Sequence, residues 1–196
     1  MSDKQEKIQP TCDGDIWLLD WYDGYEAIMS PLVDDMRAAS CAVQRGTHEY
    51  LRRVYIRTLF ATIEADVFQR KQLALIGHGK THTFEDSELA VLREVQYNVQ
   101  GSGRISETPK YIPLSANYRL SYVLAAKVIR SRFKLDCSGK EWQDFKHCID
   151  LRNKITHPKT DSDIVVTKND LLRAQAVASW CQKNMPKFLL DGKQGG

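Results

Sequence analysis

Arg152 and His157 stand five positions apart in the segment Arg152-Asn153-Lys154-Ile155-Thr156-His157, with Pro158 directly after it. A guanidinium grips two phosphate oxygens at once through its planar fork, and an imidazole titrating near neutrality gives or takes a proton. The pair therefore suits chemistry at a phosphodiester. Along an unbroken helix five positions amount to about 140° of rotation, so the two side chains converge only if the helix ends between them. Pro158 supplies that ending, because its ring disfavours helical geometry at the residue before it. A plainer account stands beside the chemical one. Cations at a helix carboxyl end complement the macrodipole, which would make Arg152, Lys154 and His157 helix-ending residues and nothing more.

The elements that must position these residues read as helices. The helix carrying the segment opens where Ser138 and Glu141 form a capping-box pattern and continues through Trp142, Phe145 and Ile149. A long core helix is expected from about Thr47, as N-cap, to about Ile76, with Tyr55, Leu59, Ile63 and Val67 at i, i+4 spacing and Gly77 as the stop. Before it, Trp17 to Arg45 is helical, with Gly24 and Pro31 dividing it into a short and a longer helix. After it, Asp86 or Ser87 caps a helix bearing Leu89, Leu92, Val95 and Val99. Residues 101–113 read as a long irregular excursion with room for a brief hairpin. Ser115 opens another helix that ends near Phe133, and Thr167 with Asp170 caps a last one that displays Leu171, Ala174, Val177 and Trp180 or Cys181 before Pro186. The longest strand-like run is Ile164-Val165-Val166. The expected fold is all-α: one helical bundle over residues 15–190, flanked by flexible tails at 1–14 and 191–196.

With the helix-ending context of the segment, Arg152 and His157 match the R-x4-6-H signature of HEPN domains, and Asn153 occupies the position after Arg where that family often has Asn. The run Arg57-Thr58-Leu59-Phe60 leading to Ile63-Glu64 is similar to the family's core helix, and the resemblance spans about Tyr50 to Leu189. It implies a helical domain that commonly dimerises and often acts as a metal-independent ribonuclease, with some members serving only as nucleotide- or protein-binding modules. Cleavage of RNA without a metal needs the 2′-hydroxyl deprotonated, the leaving oxygen protonated and the phosphorane charge stabilised. His157 and Arg152 are the groups for those tasks. Asn153 and Glu64 would support them, and Lys154 and Lys159 would hold the RNA backbone electrostatically. One histidine per chain supplies one proton-transfer group, so a two-fold homodimer placing both copies of His157 in one cleft is the mechanistic expectation. The implied biology is a toxin held by an antitoxin or other regulatory protein, or an antiphage effector.

Composition narrows the field. The 196 residues are 42% hydrophobic and 27% charged with a net charge of +3, which fits a globular domain and falls short of a strongly basic nucleic-acid binder. Apolar runs such as Val123-Leu124-Ala125-Ala126 stop well below the roughly 18 residues of a membrane span, so no membrane partner is expected. The amino terminus is polar, and Cys12, Cys41, Cys137, Cys148 and Cys181 are scattered, which predicts cytoplasmic free thiols, with Cys148 and Cys181 as small buried hydrophobes. No metal or cofactor is expected. Gly77-His78-Gly79-Lys80-Thr81-His82 imitates the tail of a phosphate loop, yet Ala74 stands where that loop needs its first glycine, and His78 with His82 has few neighbours to complete a metal site. Arg104, Lys110 and Tyr111 combine charge and aromatic character as single-strand binders do, although a polar surface loop is the better account of them.

Overall fold

The computed structural model describes residues 16–46 and 48–191. The expected N-cap Thr47, Cys12 and the tails at 1–14 and 192–196 lie outside the described residues. Six helices and one hairpin follow in order: α1 (Ile16–Arg45), α2 (Glu49–Gly77), α3 (Asp86–Leu92), β1 (Val95–Val99), β2 (Ile105–Pro109), α4 (Leu114–Ile129), α5 (Lys140–Thr156) and α6 (Lys168–Asp191). Among the described residues no helix is long and apolar enough to cross a membrane.

Helix α2 is the centre, with α1, α4, α5 and α6 all packed against it. Its repeating Ile56, Leu59, Phe60, Ile63 and Val67 are buried, as the spacing in the sequence predicts. A helix covered on several sides also takes polar residues inward, and Arg70 is fully buried. Its guanidinium is ion-paired to Asp66 one turn earlier, donates through Nε to Ser121 Oγ at 3.0 Å and lies 4.0 Å from the centre of the Tyr122 ring. Tyr25 of α1 donates to the same Asp66 carboxylate at 3.3 Å. Burial first, and then the neighbouring Asp66, push the Tyr25 hydroxyl well above its ordinary range.

Helix α1 is continuous through Gly24 and Pro31, against the expected division. The reason is tertiary. Trp21, Met29, Met36 and Ala39 form one buried seam that straddles both breakers, Trp21 Nε1 donates to Gln69 O at 3.0 Å and Thr62 Oγ1 reaches Leu32 O at 3.2 Å beside the proline. Each large apolar side chain buried contributes about 1.5–3 kcal/mol, so the seam outweighs the ~3 kcal/mol of a mid-helix proline. Gly77 ends α2 where that helix touches α4, since a Cβ there would come within 2.0 Å of Val128 Cγ1.

Other boundaries also depart from the expectation. Glu85, not Asp86 or Ser87, caps α3 by a capping box with Glu88. Helix α3 stops at Leu92, and Val95 and Val99 belong to a strand instead of its last turns. Glu94 adopts left-handed geometry with φ 55°, and its Oε1 accepts from Lys71 Nζ at 2.6 Å and Asn117 Nδ2 at 2.7 Å. Those two partners hold a backbone conformation that a non-glycine residue resists. The irregular excursion is thus largely a hairpin, paired from Val95↔Pro109 to Val99↔Ile105, so the fold is mostly helical with one small sheet. Ile164-Val165-Val166 is no strand, because residues 161–164 form a 3-10 turn. Helix α4 ends at Ile129, where Arg130 turns left-handed with φ 54°. Gly139 caps α5, because Ser138 is engaged by Asp136 Oδ1 at 2.7 Å. Helix α6 opens with the expected Thr167–Asp170 box, its Thr167 hydroxyl 2.6 Å from Asp170 Oδ2, and continues past position 186 to Asp191.

Cys148 is fully buried and Cys181 receives the Tyr118 hydroxyl at 3.3 Å, while Cys41 is exposed. Burial pushes both the Cys148 and Cys181 thiols up to about 12.

The Arg70 cluster yields a prediction. Arg70→Leu strands the Asp66 carboxylate beside aromatic walls, and urea unfolding should show a loss of about 3–5 kcal/mol. A loss below about 1 kcal/mol would mean that the ion pair is not structural.

Candidate functional site

Helix α5 packs through Phe145, Cys148, Leu151 and Ile155, all buried at helical spacing. That stripe turns Asn153, Lys154 and Thr156 outward and leaves Arg152 at its margin. The helix ends at Thr156. His157 is its C-cap, exposed and out of helical geometry with φ −128° and ψ 61°, and its N–H still donates to Asn153 O at 3.0 Å. The break expected between Arg152 and His157 is therefore present, one residue before the proline.

Arg152 reaches across to α2. Its guanidinium is ion-paired to Glu64, donates to Asn153 Oδ1 at 3.0 Å and lies 5.9 Å from the centre of the Phe60 ring. Three of the residues singled out in the sequence, Arg152, Asn153 and Glu64, are thus brought together. His157 stands beside that group without joining it: among the described residues its ring makes no hydrogen bond to Arg152, Asn153 or Glu64. Lys154 and Lys159 are both exposed around it.

The segment after the helix is held in place rather than loose. Asp163 accepts the backbone N–H groups of Lys159 at 2.9 Å and Thr160 at 3.0 Å, which hold its carboxyl below the usual carboxylate range. Asp163 also lies near enough to Lys154 to feel its charge. From α2, Arg57 Nη2 donates to Ile155 O at 2.8 Å, Arg53 Nη1 to Ile164 O at 3.0 Å and Arg52 Nη1 to Val166 O at 2.8 Å. The last carbonyls of a helix lack intrahelical partners, and a cation placed on one of them satisfies the bond and the macrodipole together. Arg52, Arg53 and Arg57 were not singled out as functional residues. The available signal was the row Arg53, Arg57, Phe60, Glu64 at helical spacing, which marks one charged face of α2.

The remaining sequence candidates lie elsewhere. His78 Nδ1 accepts the Phe84 N–H at 3.1 Å and His82 lies edge-on to the Phe84 ring at 4.7 Å, so both histidines serve the turn after α2. A helix, not a strand, precedes that turn. Among the described residues no three or more His, Cys, Asp or Glu side chains are grouped to hold a metal ion. Tyr111 is largely exposed beside the hairpin. No family model matches the chain, and neither the curated proteins nor the solved structures contain a match to it.

The arginine clamp leads to a second prediction. Arg57→Ala removes the donor to the end of α5 and should cost about 1 kcal/mol of stability, with faster amide exchange at residues 155–157 than elsewhere in α5. Unchanged exchange there would show that Arg57 does not hold the helix end.

Proposed function

We propose that this chain is a HEPN-type, metal-independent endoribonuclease in which Arg152 grips the scissile phosphate and His157 moves the proton. The observation that carries the reading is the ending of α5 at Thr156, which leaves an exposed imidazole one residue beyond the helix that also bears the partly exposed Arg152. In this reading the imidazole takes the 2′-hydroxyl proton, the 2′-oxygen attacks phosphorus, and the 5′-oxygen leaves with a proton to give a 2′,3′-cyclic phosphate end. Arg152 neutralises the charge that builds on the phosphate oxygens. Asn153 orients the guanidinium, and Lys154 and Lys159 attract the RNA backbone.

Glu64 has a defined part in such a cycle. Its ion pair with Arg152 leaves the two side chains 41% and 27% exposed respectively, and pairs this open to water contribute about 0–1 kcal/mol. A phosphate can therefore replace the carboxylate at modest cost. A second His157, from the other subunit of a two-fold homodimer, would supply the acid that complements the base. The toxin, antitoxin-regulated and antiphage roles implied by the resemblance belong to this reading. The competing reading, a non-catalytic binding module, draws on the same ion pair, because Glu64 already satisfies the guanidinium.

The test is cleavage of a labelled structured RNA in the presence of a chelator. The wild type should cut it and leave cyclic phosphate ends, and His157→Ala should lower kcat/KM by about 10²–10⁴ while keeping its helical circular dichroism. A wild type that binds RNA without cutting it, or an alanine variant cutting at the wild-type rate, would sink the ribonuclease reading. The first of those outcomes would instead favour the binding module.

A further inference from the structure

The hairpin leaves large apolar side chains open to water, with Tyr97 56%, Val99 77% and Ile105 68% exposed. Cross-strand partners share a face, so Val95, Tyr97 and Val99 stand with Ile105, Glu107 and Pro109, while Gln96, Asn98, Ser106 and Thr108 line the other side. Asn98 Nδ2 donates to Thr108 Oγ1 at 2.9 Å on that polar side. The apolar side has no such partners.

The two outer edges of the hairpin differ. Lys110 N donates to Glu94 O at 2.7 Å and Gln100 N to Arg104 O at 2.8 Å, so the even-numbered residues of β1 bond inward to β2. Alternation then sends the N–H and C=O groups of Val95, Tyr97 and Val99 outward from β1, and those of Ile105, Glu107 and Pro109 outward from β2. The β2 edge carries a carboxylate and a proline without a donor, both of which discourage a further strand. The β1 edge, Val95-Gln96-Tyr97-Asn98-Val99, has no charge and no proline. Among the described residues no other segment bonds to it.

We propose that the outer edge of β1 is a self-association surface, on which a second copy of this chain pairs its own β1 antiparallel about a two-fold axis through Tyr97. The register matches the residues. That axis sets Val95 against Val99 of the other copy and Tyr97 against Tyr97, so each pair exchanges two N–H···O bonds and the apolar faces of both hairpins merge into one. The strand is its own complement in this register, whereas a foreign strand would have to supply the same pattern. Four antiparallel strands with a shared apolar face also escape the marginal stability of an isolated hairpin.

This surface is separate from the site on α5. Lys71, which anchors the hairpin through Glu94, and Arg57, which holds the end of α5, lie about 20 Å apart along α2 by the helical rise. Failure of this proposal therefore leaves the ribonuclease reading standing, and the reverse also holds.

The experiment uses the directly opposed position. Tyr97→Lys and Tyr97→Glu, both at an exposed site, set like charges face to face across the axis when each is alone and opposite charges when the two are mixed. Light scattering on the full chain should give each variant alone half the wild-type mass or less, and the equimolar mixture should recover the wild-type value. Equal masses for wild type, both variants and the mixture would overturn the proposal, whether that mass is a monomer or an assembly held elsewhere. Loss of mass without recovery on mixing would overturn the two-fold register at Tyr97.

Discussion

A helix packed by four neighbours must give the ions it buries a partner, and α2 carries ions, buried and partly exposed, along its whole length. Most are answered from outside the helix. Arg52, Arg53 and Arg57 are met by carbonyls at and beyond the end of α5, Glu64 by Arg152, Arg70 by Asp66 and Ser121, and Lys71 by Glu94. An unpaired charge at the depth of Arg70 or Lys71 costs several kcal/mol, so the positions of α4 and the hairpin follow from the ions of α2 as well as from apolar packing. The apolar stripe says that α2 is central; the ions say what must stand at each level beside it.

The candidate site inherits its character from that arrangement. Near the buried level of Arg70 the partners are enclosed by Tyr118 and Tyr122, and the pair is fixed. At the level of Glu64 the same helix reaches water, and the pair with Arg152 is open enough to exchange one anionic oxygen for another. Arg57 holds the end of α5 beside His157, while Arg53 and Arg52 hold the segment that follows it. Preorganised donors and a held helix end lower the cost of placing reacting groups, which is what the proposed phosphate chemistry would require.

Much of this was legible where the determinant is local. Pro158 ends α5, Thr167 and Asp170 form their box, and the i, i+4 stripe of α2 needs only its own residues to be recognised. Other features were hidden because their causes lie far along the chain. Pro31 does not break α1, since the seam that overrides it is completed by α2. Val95 and Val99 continue the helical spacing of Leu89 and Leu92, yet Val95, Tyr97 and Val99 also alternate, and it is Lys71 and Asn117 holding Glu94 that decide for the strand. Ser138 carries the right spacing to cap α5 but is captured by Asp136. Arginines that donate to backbone carbonyls leave no trace in a motif, because the acceptor is the same at every residue.

The central claim is that one phosphate engages both side chains at the end of α5. Titrating a 2′-deoxy-substituted, uncleavable RNA oligonucleotide into isotopically labelled protein, and following the His157 ring and Arg152 guanidinium signals by NMR, tests it directly. The account predicts that both signals shift together along one binding curve. Shifts at Arg152 with a silent His157, or two curves of different affinity, would contradict it.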